Sequence, residues 1–371
     1  MTVSIFLFIA RLAPAAVIFA LAATAGAQTP ARQLFGAKWD AAKLPAAVYG
    51  TYHRGCVAGA EKLEDEGPTW QAMRLSRNRH WAHPELIETV KKLSRDGKSV
   101  GWNGLLVGDL TQPRGGPMIS GHASHQAGLD ADVWLTPMPD RLLTTEERES
   151  VSATSMLAKT EDDQLTHQEI DKELFTEAHA NIIRIAAQYE NVERIFVHPT
   201  IKRELCRQNP KKPKWLGKVR AQFGHHYHFH IRLGCPKGSR SCKPQAPIPS
   251  YGCDQATMDY WFKVAYAPKQ TANPKRHSAE KPSKPNKKRN IRINQLPKQC
   301  INVLTSAGTM GSEPVSLASA AFLPAGPIPT PSWRPGSIDE ELTGYAATAD
   351  IPLTRSNISK SAGRTVSVRP W

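Results

Sequence analysis

The sequence predicts an α+β domain built around a small antiparallel sheet. Three observations carry this. Two stretches, "LDADVWL" (129–135) and "HYHFHIRL" (226–233), alternate polar and apolar residues with the period of a strand. Two longer segments carry the apolar spacing of amphipathic helices. No regular strand–helix–strand beat runs through the chain, as a parallel sheet would require.

Taken in order, "HPELIETVKKLSRDG" is a helix with Pro84 at its first position and Gly97 past its end. "VGWNGLLVGDL" reads as a buried strand leading into the turn "TQPRGG". "LDADVWL" is the first alternating strand. "KELFTEAHANIIRIAAQY" is amphipathic and long enough for a helix. "VERIFVHP" is a strand stopped by Pro199, and "HYHFHIRL" is the second alternating strand.

The 371 residues suffice for one large domain or two smaller ones, and the formal net charge is +15. That balance favours acidic partners: nucleic acid, an anionic membrane or an anionic wall polymer. Residues 1–27 read as a secretory signal peptide, with an apolar run after Arg11 and the small-residue pattern Ala25-Gly26-Ala27 before the cleavage point. The apolar "VSIFLFIA" before Arg11 departs from a basic n-region; the competing reading is an uncleaved anchor. No other long apolar run exists, so no stable membrane insertion is expected after signal removal, and the expected location is the periplasm.

Residues 28–265 have globular composition. From Pro268 to Lys298 there are ten Lys or Arg against one Glu, broken by prolines, so 266–300 reads as a solvated basic linker ending at a cysteine. Residues 301–371 are rich in Ser, Thr, Ala, Gly and Pro and read as a largely disordered tail. Nucleic-acid binding is not expected, because the basic run is proline-spaced, poor in aromatics and preceded by an export signal. Six cysteines behind such a signal, with no CxxC pair, favour disulfides over a cysteine metal site. Cys235 and Cys242 bracket a plausible small loop; spacing leaves the other pairings open.

Six histidines fall in two short stretches, "GHASHQAGLDADVWL" and "GHHYHFHIRL". On a strand successive side chains point to opposite faces, so Asp130, Asp132 and Trp134 share one face, as do His226, His228, His230 and Arg232. Pairing the two strands in one sheet makes those faces converge. Two histidines and a carboxylate are a common catalytic zinc set with a fourth position left for water. His125, Asp132 and His230 are the candidate ligands, and His228 the candidate base beside them. Asp130 orients either a neighbouring histidine or only a turn. The isolated His83, His179 and His198 read as structural histidines.

These two stretches resemble the penicillin-insensitive murein endopeptidases, within the wider group of lysostaphin-like and D-Ala-D-Ala carboxypeptidase zinc peptidases. The group's pattern of a His, a six-residue gap, an Asp and a later His-x-His is met by His125, Asp132, His228 and His230. The resemblance continues through "GCVAGAEKL", "HPELIETVKKL", "LLVGDLTQPRGG", "VERIFVHPTIKRELC" and "WLGKVR". It implies a hedgehog/D-Ala-D-Ala peptidase-like fold and Zn2+ held by His125, Asp132 and His230, with His122 as a further ligand. It implies His228 as base or transition-state stabiliser and His225 as a substrate-facing or supporting histidine. It also implies disulfides Cys56–Cys300, Cys206–Cys253 and Cys235–Cys242, with Cys300 as the effective end of the domain. Asp163 and His167, in "KTEDDQLTHQEID", are weak matches to a further metal-contacting pair. The activity implied is hydrolysis of D-alanyl–meso-diaminopimelyl cross-links in peptidoglycan, insensitive to penicillin. The alternative is a peptidoglycan-binding envelope protein with a non-catalytic metal site. Arg114 and Arg232 read either as anchors for substrate carboxylates or as structural salt bridges.

Overall fold

A computed structural model describes residues 29–248, 250–265 and 291–314. The signal-peptide reading, most of the basic linker and the tail beyond 314 lie outside the described residues.

The described residues begin with helix α1 (Ala31–Gly36), the hairpin strands β1 (Ala47–Thr51) and β2 (Arg54–Ala58), and the short strands β3 (Glu61–Lys62), β4 (Glu66–Gly67), β5 (Trp70–Ala72) and β6 (Trp81–Ala82). Helix α2 (Pro84–Asp96) leads to β7 (Leu105–Val107) and β8 (Asp130–Pro137). Next come α3 (Thr145–Ser150), the hairpin β9 (Leu157–Lys159) and β10 (Leu165–Ile170), α4 (Glu177–Gln188) and β11 (Val192–Val197). The order then runs α5 (Pro199–Gln208), α6 (Lys214–Lys218), β12 (Val219–Ala221), β13 (His228–Leu233), α7 (Gln255–Asp259) and α8 (Gln299–Thr305).

The central sheet is larger than the small antiparallel sheet expected, and it is mixed. Its seven strands run β12-β11-β13-β8-β7-β5-β4, with β11/β12 and β5/β7 parallel and the other neighbours antiparallel. The extra strands β4, β5 and β12 are two or three residues long. Such strands show no readable alternation; pairing with distant chain creates them. The region "VGWNGLLVGDL" accordingly yields strand only at Leu105–Val107, because Gly97–Val100 close a 3-10 turn that ends at the left-handed Gly101.

The helices follow local rules. His83 caps α2 by accepting the Glu85 N–H at 3.3 Å, and the helix buries Leu86, Ile87, Val90 and Leu93 against the sheet. His198 caps α5 in the same way through the Thr200 N–H at 3.1 Å. Helix α4 starts later than its apolar pattern suggests, since Asp171 Oδ1 accepts the N–H groups of Glu173 and Leu174 and holds a turn there. His179 Nδ1 accepts the Thr176 N–H at 3.1 Å and Nε2 donates to the Leu135 carbonyl at 2.9 Å, tying α4 to β8. All three isolated histidines are therefore structural.

His179 has a consequence for acid stability. Burial lowers its pKa to about 4 from the ordinary 6.5. It stays neutral in the folded chain while the unfolded chain protonates below about 6.5, so its share of stability is present above that pH and is lost as pH falls to about 4. The loss is on the order of 3 kcal/mol. Urea midpoints from pH 7 to 4 are expected to fall more steeply in the native protein than in His179→Gln; parallel slopes would show that His179 plays no part.

Ala131, Val133, Leu135, Phe229, Ile231 and Leu233 form the centre of the main core, with Ile182 and Ile183 of α4 across them. A second cluster joins Leu34 and Phe35 of α1, Cys56 of β2, and Ile293, Cys300, Val303 and Leu304 near the C-terminal end of the described chain. The disulfides are Cys56–Cys300, Cys206–Cys253 and Cys235–Cys242, the pairing the resemblance implied.

Arg114 is fully buried at the junction of these parts. Its guanidinium pairs with Asp40 at 3.1 Å and donates to the carbonyls of Val303, Leu304 and Ser306 at the end of α8. Of the two readings of Arg114, the structure has the salt bridge and not the substrate anchor: every edge of the fork is used inside the fold. The packed chain also runs past Cys300, because Ser312 Oγ donates to Asp40 at 2.7 Å and Gly308 bridges to Ala42. Gly115 shows why glycines follow this arginine. Its φ is +63°, and a Cβ there would lie 2.2 Å from the Gln126 carbonyl.

Candidate metal centre

The register of β8 and β13 assembles the site. His230 lies opposite Asp132, Arg232 opposite Asp130, and His228 opposite Trp134. The polar faces of the two alternating strands therefore merge. The loop between β7 and β8 brings His122 and His125 over that merged face, held by a hydrogen bond between His125 Nδ1 and the Leu110 carbonyl at 2.5 Å.

Three candidate ligand atoms converge. His125 Nε2 lies 3.2 Å from His230 Nδ1 and 3.4 Å from Asp132 Oδ1, and His230 Nδ1 lies 3.1 Å from the same oxygen. A tetrahedral ion with bonds of about 2.0–2.2 Å has ligand-to-ligand edges of about 3.3–3.6 Å. The observed edges are close to that.

Protonation states sharpen the point. His125 donates its Nδ1–H to a carbonyl and His230 donates its Nε2–H to Asp130 at 2.8 Å. Each neutral ring has only one such proton. The facing atoms, His125 Nε2 and His230 Nδ1, are then both bare lone pairs, with a carboxylate oxygen beside them. Asp132 Oδ1 is buried with no hydrogen-bond partner among the described residues. Two lone pairs and an anionic oxygen in buried contact repel unless a cation sits among them, so this donor set fits a metal ion. Asp130 outweighs the burial that would lower the His230 pKa and raises it, so a proton would compete with any metal ion at Nδ1.

His122 sits at the rim and is partly exposed. Its Nε2 bonds Asp109 at 3.0 Å, which turns Nδ1 toward Asp132 Oδ2 at 3.5 Å. His122, His125 and Asp132 each offer a ligand atom within 4.8 Å of the others. Burial favours the neutral form of Asp132, yet the surrounding histidines hold its pKa well below the usual carboxylate range. It is an anion at any working pH.

His228 lies alongside, with Nε2 at 3.6 Å from Asp132 Oδ1. Burial lowers its pKa to about 4 despite that carboxylate, so at neutral pH it is uncharged and able to accept a proton. The His225 ring lies 4.8 Å from that of His228 and 5.7 Å from that of His230, and is partly exposed.

Other expectations fall elsewhere. His226, on the polar face by alternation, precedes the strand and turns to Ser155 Oγ at 2.9 Å. Asp163 and His167 are not brought to the centre: Asp163 pairs with Lys159 in the β9–β10 turn, and His167 meets His198 at 3.3 Å. Arg232 pairs with Asp130 at 2.6 Å and is buried, so it is part of the frame and not a surface for substrate. The sequence reading missed Asp109, which is buried between Arg77, Arg79 and His122 and aims the last of these. No alternation marks it. It follows Gly108 just past a three-residue strand, and only its partners reveal its role.

A profile of the family described as penicillin-insensitive murein endopeptidase matches residues 48–305. The chain belongs to that family. Among curated relatives of the same description, one from Haemophilus influenzae is 36% identical over 247 residues, covering 64% of this chain and 83% of the relative. One from Klebsiella pneumoniae is 36% identical over 215 residues, covering 58% and 76%, and one from Escherichia coli is 35% identical over 215 residues with the same coverage. The span matched by the family takes in both halves of the centre and all six cysteines.

Proposed function

We propose that this protein is a zinc-dependent murein endopeptidase that hydrolyses D-alanyl–meso-diaminopimelyl cross-links and is not stopped by penicillin. The observation that carries the reading is the convergence of bare His125 Nε2, His230 Nδ1 and Asp132 Oδ1 beside a neutral His228, in a chain of this family. Bound there by His125, Asp132 and His230, with His122 as a further ligand, zinc would supply a Lewis acid and a water ionisable near neutral pH. His228 accepts the proton given up by the attacking water and returns it to the leaving amine. His225, partly exposed beside it, faces the substrate. No serine nucleophile is needed, so there is nothing for penicillin to acylate. The disulfides and the family support an envelope enzyme exported behind the 1–27 leader, with cross-linked muropeptides as substrate.

The direct test incubates the mature protein with a purified dimeric muropeptide, with penicillin, and separately with a chelator. Conversion is expected to survive penicillin, to stop with chelator and to return with added zinc. Turnover indifferent to chelation would overturn the reading. Wall binding without turnover in zinc-replete protein would favour the non-catalytic alternative. His228→Gln is expected to lower kcat by about 10²–10⁴-fold while zinc content is unchanged; loss of zinc from that variant would make His228 a ligand instead.

A further inference from the structure

We infer that Asp130 is the positioning residue that joins the two halves of the metal centre, setting the ligand atom of one histidine through its ring and of the other through its backbone. The inference rests on the metal-centre reading above. Its carboxylate is fully buried, and both oxygens are committed. Oδ1 accepts the His230 Nε2–H at 2.8 Å and the Arg232 Nε–H at 2.6 Å. Oδ2 accepts the backbone N–H of His125 at 3.0 Å.

The second contact is the unexpected one. His125 has φ +61°, the left-handed region that is uncommon for a non-glycine residue and costs free energy to hold. Its N–H is held by Asp130 and its carbonyl by the Thr111 hydroxyl, so the peptide groups on both sides of the strained residue are pinned. Released, the loop would relax toward an ordinary backbone conformation and carry Nε2 away from the sheet. The first contact keeps a proton on His230 Nε2 and so leaves Nδ1 bare for a cation; a carboxylate partner also raises the ligand's basicity. Arg232 fixes the carboxylate in turn. Its guanidinium lies between the rings of Tyr52, at 4.2 Å, and Phe196, at 4.9 Å, and it stands opposite Asp130 in the β8/β13 register. Asp132 would meet the cation directly, whereas Asp130 would act through its two histidines.

Asp130→Asn alone leaves Arg232 buried without its counter-charge and is expected to destabilise the fold. The decisive variant is therefore Asp130→Asn with Arg232→Met, which removes the buried cation together with the anion. Zinc affinity is measured by competition with a chromophoric chelator, alongside the melting temperature of the metal-free protein and the visible spectrum of the cobalt-substituted form. The double variant is expected to melt near the native metal-free protein, to bind zinc about 10- to 100-fold more weakly and to show an altered cobalt spectrum. Native-like zinc affinity in the folded double variant would reduce Asp130 to a structural ion pair and overturn the inference, leaving the metal centre intact. Native protein that binds neither zinc nor cobalt would overturn both.

Discussion

Asp132→Ala protein is expected to stay folded, to lose stoichiometric zinc and to cleave a dimeric muropeptide at background rate. The backbone of Asp132 is held independently of its side chain, through its N–H to the Asp109 carbonyl and its carbonyl to the Gly108 N–H. Removing the carboxylate therefore takes away the proposed ligand and not a support. It removes the anion shared by His122, His125, His228 and His230, each with a ring nitrogen within 3.6 Å of it. Lewis-acid stabilisation is worth several kcal/mol of barrier, and each 1.36 kcal/mol is tenfold in rate, so the loss should be about 10³-fold or more. Zinc content by elemental analysis and product formation should fall together. A variant that keeps full turnover without zinc would refute metal catalysis; one that keeps zinc would take Asp132 out of the ligand set.

Arg114→Ala is expected to destabilise the fold by about 3–5 kcal/mol. The arginine is buried against Asp40, and its loss leaves that carboxylate without its ion pair. It also strips the carbonyls of Val303, Leu304 and Ser306 of their donor where α8 ends. The measurement is urea unfolding together with KM on the folded fraction. A stability loss of this size with unchanged KM places Arg114 in the frame. A raised KM at native stability would restore the reading of Arg114 as a substrate anchor. In the same region, a chain ended at 306 should be less stable than one ended at 314, because Ser312 no longer donates to Asp40.

Much of the centre was legible because strand alternation is a local property. Reading Asp130 and Asp132 on one face of one stretch, and His228 and His230 on one face of the other, needed only the period-two rule, and both strands form with those residues paired. Alternation reached too far at His226, which precedes β13 and bonds Ser155 instead. His125 entered as a histidine close before the first of these strands, but it lies in a loop whose path no local pattern dictates, so its place over the sheet was not legible.

The sequence by itself determined the two alternating strands, the helix that opens at Pro84, the existence of a second amphipathic helix, and the residue types of a metal site, because these depend on neighbours a few positions apart. Only the tertiary structure decided which strands neighbour one another in the seven-stranded sheet and that Arg114 and Arg232 are buried frame. The same holds for Asp109 aiming His122 and for Asp130 holding His125 in a left-handed conformation. Most of those outcomes turn on pairings between residues far apart in the chain; Asp130 and His125 are five positions apart, but the loop that joins them has no periodicity to read. A carboxylate or guanidinium shows nothing in its own surroundings of which distant partner will neutralise it once water is excluded.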